Sequence, residues 1–102
     1  MNLFNYIVCF FAGSFLCNSV PHFVKGVSGD KFPTPFANPP AKGLSKPYIN
    51  VLWGLFNMVV SMTLIWYGKV SINNIWSIVV MFSGFSIMGV GLSLTAEKKH
   101  KE

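Results

Sequence analysis

Residues 21–47 read PHFVKGVSGDKFPTPFANPPAKGLSKP, a stretch that holds all six prolines and four of the eight lysines of the chain. Pro33, Pro35, Pro39, Pro40 and Pro47 forbid a regular helix or a central strand, because each removes a backbone donor and fixes φ. Gly26, Gly29 and Gly43 offer turn positions between them. A flexible tether is poor in aromatic and branched residues, whereas this segment carries Phe23, Val24, Val27, Phe32, Phe36 and Leu44. Those side chains need a surface to lie on. The expectation is an ordered loop over 21–48, resting on a membrane surface or folded against helix ends.

Long apolar runs flank that segment. Leu3 to Val20, Ile49 to Tyr67 and Ile75 to Thr95 contain no Asp, Glu, Lys, Arg or His. At about 1.5 Å per residue they reach roughly 27 to 32 Å, enough for a hydrocarbon core of about 30 Å. Hydrophobic residues make up 52% of the 102-residue chain and charged residues 11%, against about 25% charged in soluble domains. A soluble fold this short has too much surface to cover with so few charges. The fold expected is all-α: a single membrane domain of three transmembrane helices with a long Pro/Gly-rich ordered loop between helices 1 and 2. The helices fall at about 3–20, 49–67 and 75–95, with a polar tail at 96–102. Pro21 is expected to stop or kink the first helix. The link GKVSINN, residues 68–74, is short enough to make helices 2 and 3 a hairpin. Trp66, Tyr67 and Trp76 then mark one interface.

Lysine placement sets the threading. The formal charge of +5 comes from lysine alone, since the chain has no arginine. Lys25, Lys31, Lys42, Lys46, Lys98, Lys99 and Lys101 fall on one side of a three-span protein, and only Lys69 on the other. The positive-inside rule puts the loop and the C-terminus in the cytoplasm and the N-terminus outside. The chain is thus expected in the cell membrane as a multi-pass protein. Its expected partners are the lipid bilayer with anionic headgroups, and another membrane protein or a second copy. Scattered lysines without arginine argue against nucleic acid.

Small and polar residues recur along each run. Asn5, Cys9, Gly13 and Cys17 make one stripe. Asn50, Gly54, Asn57 and Ser61 make a second, and Ser83, Ser86, Gly89 and Ser93 a third. Membrane helices pack through such faces because small residues let backbones approach and amides bond across. Asn5, Gly13, Asn50, Gly54, Asn57, Ser61, Ser86 and Gly89 are therefore the candidates for helix packing or for lining a pore. Cys9 and Cys17, about 12 Å apart along a helix, are too far apart for a disulfide.

Groups able to do chemistry are few. Proton relays and ion-coupled transporters place an ionisable group inside the membrane, and these runs have none. Asp30, in SGDK, lacks the partner acid, histidine or metal of a catalytic carboxylate; a turn-forming role suits it better. His22 lacks the companion ligands of a metal site, and His100 lies in the tail. No catalytic residue, cofactor or metal is expected. His22, Lys25, Asp30, Phe32 and Phe36 are the candidate residues of an interaction loop.

The string PHFVKGVSGDKFPTPFANPP, with NVLWGLFN from the second run, resembles small bacterial membrane proteins of no assigned function. The resemblance covers about half the chain, implies a bacterial inner-membrane location and brings no activity with it. The leading expectation is a non-enzymatic accessory or interaction protein whose cytoplasmic loop contacts a partner or lipid headgroups. A small oligomeric channel or carrier lined by the Asn/Ser/Gly faces comes next, and a membrane enzyme third.

Overall fold

The computed structural model describes residues 1–101, with side chains through Lys98. Three helices follow one another: α1 (Leu3–Val27), α2 (Pro47–Tyr67) and α3 (Ile75–Lys101). All three are long and apolar enough to cross a membrane. No strand occurs among the described residues, only two isolated bridges, Phe32 with Ser45 and Ser71 with Asn74.

The helix ends are set by local chemistry. Asn2 caps α1: its Oδ1 accepts the Asn5 backbone N–H at 3.0 Å, while the Asn2 N–H donates to Asn5 Oδ1 at 3.4 Å. Asn5 is thus a capping residue. α1 does not stop at Pro21. A proline in a helix costs the bond to the carbonyl four residues back, and membrane helices tolerate that loss. The helix runs on to Val27 and ends at Gly29, which takes φ of +79°. There Asp30 N donates to Lys25 O at 2.9 Å and Gly29 N to Gly26 O at 3.1 Å, the paired bonds of a Schellman motif. The irregular segment therefore spans 28–46 rather than 21–48. Pro47 begins α2 at its first turn, where no N–H is needed.

α2 closes with the same pair of bonds, Lys69 N to Trp66 O at 3.2 Å and Val70 N to Ile65 O at 3.1 Å. Here the left-handed residue is Lys69, at φ +58°. The neighbouring Gly68 is reserved for packing: a Cβ on it would stand 3.1 Å from Val8 Cγ1 and 3.2 Å from Cys9 Sγ. α3 continues past Thr95, so residues 96–101 of the polar tail extend the helix beyond the expected end at 95. The side chains of Lys99, His100 and Lys101 lie outside the described ones, and Glu102 outside the described residues.

α1 is the centre of the bundle. It packs on α2 along one face and on α3 along another, while α2 and α3 make no contact with each other among the described residues. The short link reverses the chain, yet its two helices do not form a packed hairpin. Each prefers the small-residue surface of α1. At the α1–α3 crossing, a Cβ on Gly13 would collide with Met81 O and one on Gly84 with Phe10 O, so the two backbones are in direct contact. Ser14 Oγ donates across the same crossing to Gly84 O at 3.3 Å. At the α1–α2 crossing, Gly54 lies against the backbone of Phe23 and Ser19, and Ser61 Oγ donates to Ala12 O at 2.7 Å.

Burial runs opposite to that of a soluble domain. The enclosed side chains are small or polar: Asn50, Asn57, Ser19, Ser61, Ser77, Thr34, Cys9 and Ala12. The exposed ones include Phe4, Phe11, Leu52, Phe56, Val59, Met62, Phe82, Ile87 and Leu94. Accessible surface totals 6823 Å², against about 5,700 Å² for a compact soluble chain of this mass. Such a surface is stable where the surroundings are apolar.

Candidate functional site

Polar side chains gather where α1 ends, α2 begins and the 28–46 segment crosses between them. His22, in the last turns of α1, and Asn50, in the first turn of α2, are both buried. Their side chains meet at 2.9 Å, Nδ1 to Oδ1. Asn50 Nδ2 lies within hydrogen-bond reach of three backbone carbonyls, of Phe32 at 3.0 Å, Ser45 at 3.2 Å and Lys46 at 3.3 Å. That arrangement determines the amide's orientation, because its nitrogen must face the carbonyls. Oδ1 then faces His22 and can only accept, so His22 carries its proton on Nδ1. Nε2 is left with a lone pair. It has no hydrogen-bond partner among the described residues. Since no enclosed side-chain nitrogen or oxygen is unpaired there, Nε2 keeps some access.

The loop is built on that amide. Phe32 and Ser45 exchange backbone bonds, Phe32 N to Ser45 O at 3.3 Å and Ser45 N to Phe32 O at 2.9 Å, and Asn50 binds the carbonyls of both. Inside the closed segment Thr34 O accepts from Ala37 N and Ala41 N, at 3.1 and 2.8 Å. Thr34 Oγ1 bonds Ser45 Oγ and accepts the Phe36 N–H. Pro39 O accepts from Lys42 N and Gly43 N. Gly43 allows this tight path, since a Cβ there would run into the Asn38 backbone. Aromatic rings complete the seat. His22 meets Phe32 edge-on at 5.3 Å and Trp53 at 6.4 Å, Phe36 meets Trp53 at 5.1 Å, and Trp53 stacks on Phe56 at 5.5 Å.

The structure thus brings together some expected site residues and separates others. His22 and Lys25 belong to α1 rather than to the loop. Phe32 is half-buried in the node, Phe36 stays 66% exposed despite its contact with Trp53, and Asp30 sits exposed at the helix end. Asn50, Gly54, Asn57 and Ser61 all face α1. Asn57 Oδ1 accepts from Asn18 Nδ2 at 3.2 Å, and Asn57 Nδ2 donates to Trp53 O at 2.7 Å. The polar groups among them thus bond within the chain, toward α1, the loop or their own helix. Gly13 packs on α3, and Gly89 faces Cys17 Sγ. Ser86 Oγ bonds Phe82 O of its own helix.

Other residues of the node escaped sequence reading. Thr34, Ser45 and Trp53 had no signal beyond their type, because their partners are distant in sequence or are backbone carbonyls. Gly84, Ser14 and Asn18 lay one step off the stripes that were counted. An open groove of about 420 Å³ between α1 and α3, lined by Phe10, Phe11, Phe15, Ile87 and Met88 with Ser14, Asn18 and Gly91, is almost wholly apolar and holds no titratable group. No group of three His, Cys, Asp or Glu side chains able to hold a metal occurs among the described residues. Comparison with family models, with curated proteins and with solved structures finds no match.

Proposed function

We propose that this chain is a non-enzymatic, multi-pass protein of the cell membrane whose 28–46 loop is a pre-ordered cytoplasmic platform for contact with other membrane components. The observation that carries the reading is the division of labour within the loop. Thr34, Ala37 and Ser45 are buried and the Phe32–Ser45 closure is held by Asn50, while Lys31, Phe36, Lys42 and Leu44 stay exposed. A tether needs no such internal bonding, and holding it in one shape costs about 1–2 kcal/mol per residue in backbone entropy. A shape fixed in advance removes that cost from a binding event. Lysine asymmetry supports a cytoplasmic orientation for this face and the C-terminus, with the N-terminus outside.

The test combines order and contact. Trypsin added to the cytoplasmic face of native membranes should cut slowly at Lys31 and Lys42. A photo-crosslinking residue in place of Phe36 should capture a discrete neighbour, lipid or protein. Rapid cleavage at both lysines, with no captured neighbour, would show a mobile linker and end the proposal. The channel or carrier reading has weaker support, because Asn50, Asn57 and Ser61 are each bonded within the chain.

A further inference from the structure

We propose that the corner where α1 ends and α2 begins holds the headgroup of an anionic phospholipid, with Lys25 and Lys46 as its charged contacts. This rests on the platform reading above and names its partner.

Three observations converge on that corner. The first is enforced proximity. Gly26 lies so close to α2 that a Cβ on it would stand 2.7 Å from Pro47 O and 2.8 Å from Val51 N. Lys25 precedes Gly26 and Lys46 precedes Pro47, so two lysines flank one backbone contact. Both backbones are fixed: Lys25 O accepts from Asp30 N, and Lys46 O from Asn50 N and Nδ2. Both side chains are exposed and neither is ion-paired with a described residue.

The second observation is depth. Lys25 lies about 33 Å along α1 from Leu3, and Lys46 about 32 Å along the chain of α2 from Tyr67. A hydrocarbon core of about 30 Å puts both ammonium groups at the level of the phosphates. The third is the company they keep. Val24, Val27, Phe36, Leu44 and Tyr48 are exposed at the same end. Apolar side chains beside lysines suit a surface that is hydrocarbon below and phosphate above. Lys31 and Lys42 add charge on the loop, against the single carboxylate of Asp30. Lysine grips phosphate as a point charge without the planar fork of arginine. The site therefore selects negative charge and not one particular headgroup.

The experiment uses the full chain with Trp66→Phe and Trp76→Phe, which leaves Trp53, beside His22 and Phe36, as the one indole. Reconstituted bilayers carry brominated phosphatidylglycerol or brominated phosphatidylcholine at equal mole fraction. Trp53 should be quenched more strongly by the anionic lipid. The preference should fall about fivefold for each of Lys25→Gln and Lys46→Gln, and should weaken with added salt. Equal quenching by the two lipids, or a preference unchanged in the double variant, overturns the assignment. Trypsin digestion of the unsubstituted loop in the same bilayers separates the two readings. A resistant loop indifferent to lipid charge rejects the lipid and keeps the platform, as does crosslinking from position 36 chiefly to a protein. A loop cut rapidly in every bilayer rejects both.

Discussion

At the scale of single residues the molecule turns on the Asn50 amide. Its nitrogen faces the carbonyls of Phe32, Ser45 and Lys46, and its oxygen takes the Nδ1 proton of His22. Asn50→Asp keeps the shape and replaces the donor by an acceptor that points at those carbonyls. The loss should be at least about 3 kcal/mol, as for other buried charge–dipole mismatches. It is read as a lower thermal midpoint in mild detergent and as fast tryptic cleavage at Lys31 and Lys42. Unchanged resistance of the loop would mean that the amide does not hold it. Lys69 supports a prediction of opposite sign. It occupies a left-handed conformation, at φ +58°, that costs a side-chain-bearing residue roughly 1 kcal/mol. Lys69→Gly should therefore raise the thermal midpoint, and a lowered one would show that the side chain has a compensating contact. Asn50 stood out in the sequence as a polar group within an apolar run. That it anchors a loop was not legible there, because its four partners are three backbone carbonyls and a ring nitrogen whose positions depend on the fold.

Among the elements, α1 carries the packing. Its Cys9, Ala12, Ser19 and Gly26 serve α2, and its Phe10, Gly13, Ser14 and Cys17 serve α3. The two crossings share few residues, so they should fail separately. Gly84→Leu forces a side chain into Phe10 O and should detach α3 from α1, with a marked loss of thermal stability. The His22–Asn50 node lies on the α1–α2 side, so the loop should remain resistant to protease. Gly91→Ala is the matched control. Nothing stands within 4 Å of a Cβ there, and the helix should lose no stability and gain up to about 1 kcal/mol from propensity. Equal behaviour of the two variants would remove the α1–α3 crossing from the account.

At the scale of the whole molecule the prediction concerns orientation in the proposed membrane. α3 runs parallel to α1, since Gly13 meets Met81 and Phe85 while Gly89 meets Cys17. The loop and the C-terminal end of α3 therefore share one end of the bundle, which measures 42 × 26 × 21 Å. The long axis matches a bilayer with its headgroup layers, about 40–45 Å. Single cysteines at Ser28 and Asn73, in a chain whose Cys9 and Cys17 are replaced by serine, should label from opposite faces. An impermeant reagent on intact cells should reach position 73 and not 28. Labelling at 28 alone would invert the orientation that lysine counting gives.

Three apolar helices, the proline-rich interruption and the small-residue faces follow from the sequence by itself, because hydropathy, φ restriction and side-chain size are local properties. Helix boundaries followed only where a local motif decides them. Gly29 with its Schellman bonds was readable in principle, yet Pro21 was the louder signal and the weaker breaker, since a membrane helix tolerates one missing bond. Tertiary structure alone decided which faces meet. Asn50, Gly54, Asn57 and Ser61 form the same stripe whether they line a pore or face a neighbour. Only the close approach of α1 to both other helices turned that stripe inward. The same approach, through Gly26 against Pro47 and Val51, brought the end of α1 and the start of α2 to one corner, which no local pattern would have paired.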